Sequence, residues 1–561
     1  METGMKIIAL WLSLTGFFLA FRWFRKDLHP AFYPGLTVSL LSVLTCLGGM
    51  AEVLHETAKG MFILGLLCLV CFGFLLLRKR SQVERKKGES RAFLWMLGAF
   101  IALCAGIVLM QRGRFIYGYD DFSHWGIVSR ILLKNDRLPA EKDGLMFPSY
   151  PLGAASFIYF CGQVLGSSGE ACLQAQNIML ISFLISLQSI TEKKKVGTFL
   201  ITAAVPIFLF YNTSPYALSV DNLLGATFLA ALLLFFQEER KLQKRLPEMM
   251  ILLSCCVLIK NSGLFLALGL MVLTLFRFIR RREKPSFVLL NLLFPLLVYL
   301  AWRVHLKTGF STFGKHYMSL SVYYATLRGK LRDLGTIVRV ILPVMLHPLK
   351  NQGLLLIPAF ALVYLASGSD CRRKQKGMLQ TCAVMFLLYE AGIFAMYICS
   401  MGTGELLAQQ GGDYPRYNGT LLLGMVGIWI KMAAQTMENR ELLQSGKLRL
   451  LLLTALILTV GCVGLNMTIP QTLKASQKQN PDAWALSRWT EGMVLSEEKE
   501  YAIGFQTQQI SEYQQYLACY YLYPAKKLYL YSSGESVPKP GEQIVVIDLR
   551  KSPEISSVHS E

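Results

Sequence analysis

Apolar runs of roughly sixteen to twenty residues recur along most of this chain, each ended by a short basic connector. A helix needs about 20 such residues to cross a bilayer's hydrocarbon. Inside lipid it must satisfy every backbone N–H and C=O within its own segment. Runs of that length, repeated, make the chain an α-helical polytopic membrane protein. Composition agrees. Of the 561 residues, 53% are hydrophobic and only 17% charged, where a soluble domain carries about 25% charged residues. The first run, 7–21, has signal-peptide length but lacks a small-x-small cleavage site and leads into further spans, so it is read as a helix.

The formal charge of +21 invites a nucleic-acid partner, but its placement argues against one. The basic residues gather in the connectors 22–26, 78–91, 193–195, 240–245, 277–284 and 372–376, the pattern the positive-inside rule puts in the cytoplasm. The 13 cysteines are scattered, mostly within apolar runs and without zinc-finger spacing, and read as small core residues.

With these connectors in the cytoplasm, alternation places the rest. Spans are expected at 5–21, 31–52, 60–77, 92–110, 173–190, 196–211 and 219–236, as a hairpin within 249–279, and at 286–303, 352–367, 377–399, 419–433 and 450–467. That makes about fourteen, with both termini outside. Residues 154–165 are expected to lie at the outer surface, because a span there would force Lys193-Lys194-Lys195 outside. The stretch 337–349 is too short and interrupted to span and is expected in the interface. The external loop 303–333, with Lys315-His316-Tyr317, is basic against the rule. Three units result: N-terminal helices (1–91), a transmembrane module (92–467) with external loop 111–153, and a small extracytoplasmic α/β domain (468–561). In the last, 501–505, 528–531 and 543–548 read as strands, the third of them buried, and 511–522 as a helix.

The run Tyr119-Asp120-Asp121-Phe122-Ser123-His124-Trp125 opens the external loop. Adjacent acids on a helix point about 100° apart, so they serve different ends. One suits a general base toward an acceptor hydroxyl, the other a metal, an acceptor group or a positioning histidine. The alternative is an Asp N-cap with Trp125 as an interfacial anchor. Four more polar residues are expected at the same face: Asp221 at the start of a span, Lys260 at a hairpin tip, and Arg416-Tyr417 at a span mouth. Each alone reads as a cap or a snorkelling side chain. Together they converge as a site would. Glu390 is the most intramembrane acid. There is no P-loop, dinucleotide-binding glycine pattern or His-Glu-x-x-His motif, and the cytoplasmic loops are too short for a nucleotide-sugar site.

These motifs resemble those of the GT-C superfamily of membrane glycosyltransferases, which includes protein O-mannosyltransferases and aminoarabinose transferases. The carriers are the acid pair with His124 and Trp125, the stretch Pro148-Ser149-Tyr150-Pro151-Leu152-Gly153, Lys260-Asn261-Ser262-Gly263, and Arg416-Tyr417. Here the second acid is Asp121 where many members have Glu, and one extra residue stands before the His-aromatic pair. The resemblance implies inverting transfer of a sugar from a polyprenyl-phosphate donor to a glycan, lipid or protein acceptor at the outer face of a bacterial plasma membrane. It implies Asp120 as base, with Asp121 a second catalytic acid. Tyr119, His124, Trp125 and Asp221 would position the acceptor, and Lys260, Arg416 and Tyr417 would bind the donor phosphate. A divalent cation (Mg or Mn) on Asp120 or Asp121 is compatible with it. The competing readings are a polysaccharide polymerase or ligase using diphosphate-linked glycans, a flippase for lipid-linked sugar, and a non-catalytic scaffold. The lack of an internal repeat weakens the transporter.

Overall fold

The computed structural model describes residues 2–80, 87–190, 202, 204–237, 242–282, 285–313, 319–399, 412–438, 445–491, 493–536 and 544–550. The first part of the expected span 196–211 falls outside these residues, and the connector Lys193-Lys194-Lys195, Lys315-His316-Tyr317 and the last eleven positions do so wholly.

The chain is a helical membrane protein. Its helices are α1 (Glu2–Phe24), α2 (Tyr33–Met50), α3 (Leu54–Arg80), α4 (Lys87–Gln111), α5 (Gly126–Asn135), α6 (Gly153–Leu165), α7 (Gly169–Leu184), α8 (Asp221–Phe235), α9 (Leu242–Ile259), α10 (Gly263–Arg280), α11 (Pro285–Gly309), α12 (Leu320–Lys330), α13 (Leu334–Leu346), α14 (Gly353–Ala366), α15 (Ser369–Cys399), α16 (Tyr414–Met437) and α17 (Gly446–Leu465). Among the described residues, nine helical segments are long and apolar enough to cross a membrane, against the fourteen spans expected. Two of the expected spans, 219–236 and 352–367, form helices of only 15 and 14 residues. At 1.5 Å per residue these fall short of a hydrocarbon layer of about 30 Å.

Small residues set the closest helix contacts, as expected where lipid supplies no hydrophobic drive between helices. A Cβ on Gly16 of α1 would meet the Gly65 carbonyl of α3 at 1.8 Å. A Cβ on Gly225 of α8 would meet Thr420 O of α16 at 2.5 Å, so α8 and α16 pack backbone to backbone. Most of α2 is buried, against α6, α7 and α9. The N-terminal helices therefore pack in one core with the helices that follow.

Helix α6, expected at the outer surface, is instead packed inside the bundle. Residues Gly153 to Cys161 are all buried, between α2, α5 and α7. Ser42 Oγ donates to Gly153 O at 2.7 Å, and a Cβ on Gly153 would meet Leu258 O of α9 at 2.8 Å. A 13-residue helix is too short to span. It is apolar enough to lower its free energy more by packing than by lying at the interface. At one end of the bundle two of the basic connectors meet: Arg25 pairs with Glu248 at 2.5 Å and Arg245 with Asp27 at 3.2 Å.

After α17 the chain forms α18 (Leu473–Gln479), α19 (Pro481–Trp489), β1 (Glu500–Gly504), α20 (Glu512–Leu522), β2 (Lys527–Tyr531) and β3 (Ile544–Asp548). The three strands make a parallel sheet in the order β2-β1-β3, with Tyr501 opposite Leu528 and Val545. Central β1 is apolar and buried, as a doubly flanked strand is. Expected to be a buried strand, β3 is an edge strand with only Ile547 fully buried, because a single neighbour covers it. Ser511 caps α20 in a capping box with Gln514.

Candidate functional site

The acidic run forms a five-residue π-helical turn, Asp121–Trp125, closed by the Gly126 N–H on Asp121 O. Such turns are rare and recur at functional sites. A π-turn holds one residue more than an α-turn, and here it sends successive side chains to different places. Asp120, at the N-cap position, makes no capping bond and is part-exposed. Asp121 turns inward, 1% exposed, and accepts the Leu218 N–H on Oδ1 at 2.8 Å. Burial pushes its carboxyl up to about 8 despite that bond, with the Asp120 charge adding to the rise. Gly118 leaves room for it: a Cβ there would meet Asp121 Oδ2 at 2.6 Å.

His124 lies flat against Tyr150, ring centroids 5.1 Å apart at 13°, and its Nδ1 is 2.7 Å from Ser123 Oγ. Trp125 packs on both rings. With Val128, Ala154, Ile158 and Leu218 they line a small apolar pocket. His124 and Trp125 therefore brace the Pro148–Gly153 stretch against the acidic turn, and the Asn261 side chain donates to Ser149 O at 3.3 Å from the hairpin tip.

Four charged side chains from four segments form one chain of contacts. Arg416 Nη1 donates to Asp120 Oδ2 at 2.5 Å. Its Nε stands 4.0 Å from Asp221 Oδ2 and has no hydrogen-bond partner among the described residues. Lys260 Nζ donates to Asp221 Oδ1 at 2.6 Å. Both cations lie over the Tyr417 ring, at 5.2 Å for Lys260 and 5.4 Å for Arg416, where the ring's negative face attracts them. The hairpin tip that delivers Lys260 depends on Gly263, whose N–H bonds Lys260 O at 2.8 Å and whose Cβ would lie 2.0 Å from Cys256 O. The sequence-predicted Asp120, Asp221, Lys260, Arg416 and Tyr417 are thus in one cluster. Asp121 is outside it, behind the turn.

No family model, curated protein or solved structure matches this chain.

Several residues outside the sequence-predicted set support the cluster. Ser219 and Thr420 hydroxyls donate to Asp221 at 3.1 and 3.3 Å. Asn212, at φ 61°, donates to Arg416 O at 2.9 Å. Glu390 of α15 is 8% exposed and accepts from Tyr414 OH at 2.5 Å and Asn418 Nδ2 at 2.6 Å. These two residues bracket Arg416, so the intramembrane acid clamps the first turn of α16 from behind. Only the pattern Tyr414-x-Arg416-x-Asn418, one polar residue on each side of the arginine, hinted at this.

Among the described residues no three His, Cys, Asp or Glu side chains come together to hold a metal. Asp120 and Asp221 each face a protein cation, and Asp121 points away. Mg and Mn are usually held by one or two carboxylates together with water and substrate phosphates, and here the two acids of the cluster are each engaged by a protein cation.

The C-terminal domain is joined to the acidic loop. Phe122 packs among Tyr513, Tyr520 and Tyr521 of α20, with ring centroids 5.2 to 5.8 Å away. Tyr521 OH donates to Ile116 O at 2.6 Å, Tyr513 OH to Tyr117 O at 3.1 Å, and Arg130 Nη2 to Tyr521 O at 2.9 Å. A Cβ on Gly126 would meet the Tyr520 ring at 3.2 Å.

Proposed function

We propose that the chain is a membrane glycosyltransferase of GT-C type that moves a sugar from a polyprenyl-phosphate donor to an acceptor hydroxyl with inversion. The observation that carries this is Arg416. One of its N–H groups holds the part-exposed Asp120, while its buried Nε stands 4.0 Å from Asp221 and makes no hydrogen bond among the described residues. Buried polar groups are rarely left unpaired in a resting protein. A guanidinium that hydrogen-bonds one carboxylate and stands 4.0 Å from Asp221 and 3.9 Å from Asp413, beside Lys260, suits a substrate that brings a phosphate and a reacting hydroxyl together. The π-turn supports the resemblance as well, because it absorbs one residue between the acids and the His-aromatic pair.

On donor binding, Arg416 and Lys260 take the phosphate oxygens, and Arg416 loosens its hold on Asp120. Asp120 then accepts the proton of the acceptor O–H. The oxygen attacks the anomeric carbon from the face opposite the phosphate, and the C–O bond to the phosphate breaks. Its electron pair leaves with the polyprenyl phosphate, whose added charge the two cations neutralise in a partly desolvated cleft. Asp221 keeps Lys260 and Arg416 apart and oriented. Asp121 holds the 211–220 segment to the turn.

The test is transfer of labelled sugar from a panel of polyprenyl-phosphate sugars by the purified chain in nanodiscs. Asp120→Asn is expected to lose about 10²–10⁴-fold in rate. Full activity in that variant, or no donor consumed by the parent, would sink the reading. In intact cells, a membrane-impermeant maleimide should label Lys142→Cys, at an exposed position of the loop, in a Cys519→Ser background. Labelling only after lysis would put the site in the cytoplasm.

A further inference from the structure

Helix α20 carries four tyrosines, and three of them make the seam with the acidic loop. The fourth, Tyr516, does not pack on Phe122. It meets Tyr119 edge to face, ring centroids 5.4 Å apart at 85°, and its hydroxyl is 3.0 Å from Glu512 Oε1. Tyr119 is 39% exposed and directly precedes Asp120. Glu512 is exposed, and its carboxylate also faces the Tyr119 hydroxyl. Joining the domain to the loop thus leaves the exposed Tyr119 ring, the half-buried Tyr516 ring and an exposed carboxylate together beside the proposed base.

We infer that Tyr119, Tyr516 and Glu512 form a subsite for the acceptor, and that the acceptor is a carbohydrate. This rests on the transferase reading and narrows it. A pyranose ring has an apolar face of polarised C–H bonds and a rim of hydroxyls. The C–H face matches the electron-rich faces of the tyrosines. The hydroxyls match a carboxylate, whose charge strengthens the hydrogen bonds it accepts. A sugar on this platform can present one hydroxyl to Asp120 while the donor phosphate sits beyond it on Arg416 and Lys260. The C-terminal domain then supplies one wall of the acceptor site, and its seam with the loop keeps that wall in register with the acid.

The experiment uses the full chain in nanodiscs and reads retention on a panel of immobilised hexose, aminosugar and uronic-acid oligosaccharides. Donor consumption is measured in parallel. The parent should retain at least one class of oligosaccharide. Tyr516→Ala should weaken that binding about tenfold, as expected for the loss of a stacked ring. Tyr516→Phe, which keeps the ring, should retain most of the binding, and Glu512→Gln should fall between them. Thermal unfolding of each variant reports whether the domain stays folded. No retained glycan, or equal binding by parent and Tyr516→Ala, overturns the subsite. So does transfer to a peptide or lipid headgroup that Tyr516→Ala leaves unchanged. Glycan binding that responds to Tyr516, with no polyprenyl-phosphate sugar consumed, would uphold the subsite and reject the transferase reading.

Discussion

Arg416 Nη1 and Asp120 Oδ2 lie 2.5 Å apart, although 296 positions separate them in the chain. The contact ties the first turn of α16 to the loop after α4 and holds the proposed base and the proposed phosphate ligand in one pair. Removing either partner should therefore affect different steps. Asp120→Asn should lower the turnover number with little change in donor KM. Arg416→Ala should lower transfer about 10²–10³-fold, and Arg416→Lys should not restore it, because an ammonium lacks the planar fork. Steady-state kinetics with the donor varied would check this. Equal loss of turnover and KM in both variants would contradict the division of roles.

Asp221 is the buried member of the cluster, its side chain 3% exposed beside Lys260 at 12%. Asp221→Asn leaves a lysine with no carboxylate in a dry setting, a change that costs about 3–5 kcal/mol for buried pairs. The expected outcome is a lower unfolding temperature and loss of transfer. Adding Lys260→Met should recover much of the stability and none of the activity. A double variant no more stable than Asp221→Asn would mean that the pair is not what holds the site.

Asp121 gives the protein a pH dependence of a particular sign. Its carboxyl rises from 3.8 to about 8 on folding because burial disfavours the charged form. The folded state therefore binds more proton than the unfolded state between those values, and stability falls as pH rises through that window. Thermal unfolding between pH 5 and 9, values of about the range just named, should show a decline in the parent. The decline should be smaller in Asp121→Asn, which keeps an oxygen for the Leu218 N–H. An unchanged slope would locate the titrating group elsewhere.

Gly263 tests how tightly the hairpin tip is set. A Cβ there would meet Cys256 O at 2.0 Å and Leu224 Cδ1 at 3.1 Å. Gly263→Ala must push α10 away from α9, at a cost of about 1–3 kcal/mol, and carry Lys260 off Asp221. Donor KM should rise with a modest fall in unfolding temperature. Gly98→Ala, which meets nothing within 4 Å, serves as the control.

Much of the fold was legible because lipid forces run length to mean helix. The hairpin tip at Lys260 and the helix start at Asp221 lie where the apolar runs break. The domain after residue 468 was legible from its short strand-like and helical runs. Placement was less so. Helix α6 looked like a surface helix by charge alternation, yet close backbone approaches at Gly153 and Ser42 draw it into the core. That Asp120 and Asp121 point apart was expected, but which of them is buried was hidden, since a helical reading cannot foresee that one turn holds an extra residue.

The sequence by itself determined a helical membrane protein with a small α/β domain and a set of polar residues at the breaks between apolar runs. Only the tertiary structure decided which of them meet. Arg416 finds Asp120 and Asp221 because small residues bring α8 and α16 together, and because Tyr414 and Asn418 hang from Glu390. It also decided that α20 closes on the acidic loop. The physical reason is range: hydropathy and capping act over a few residues and show in local patterns. Contacts between charges hundreds of positions apart depend on packing distances that no local pattern records.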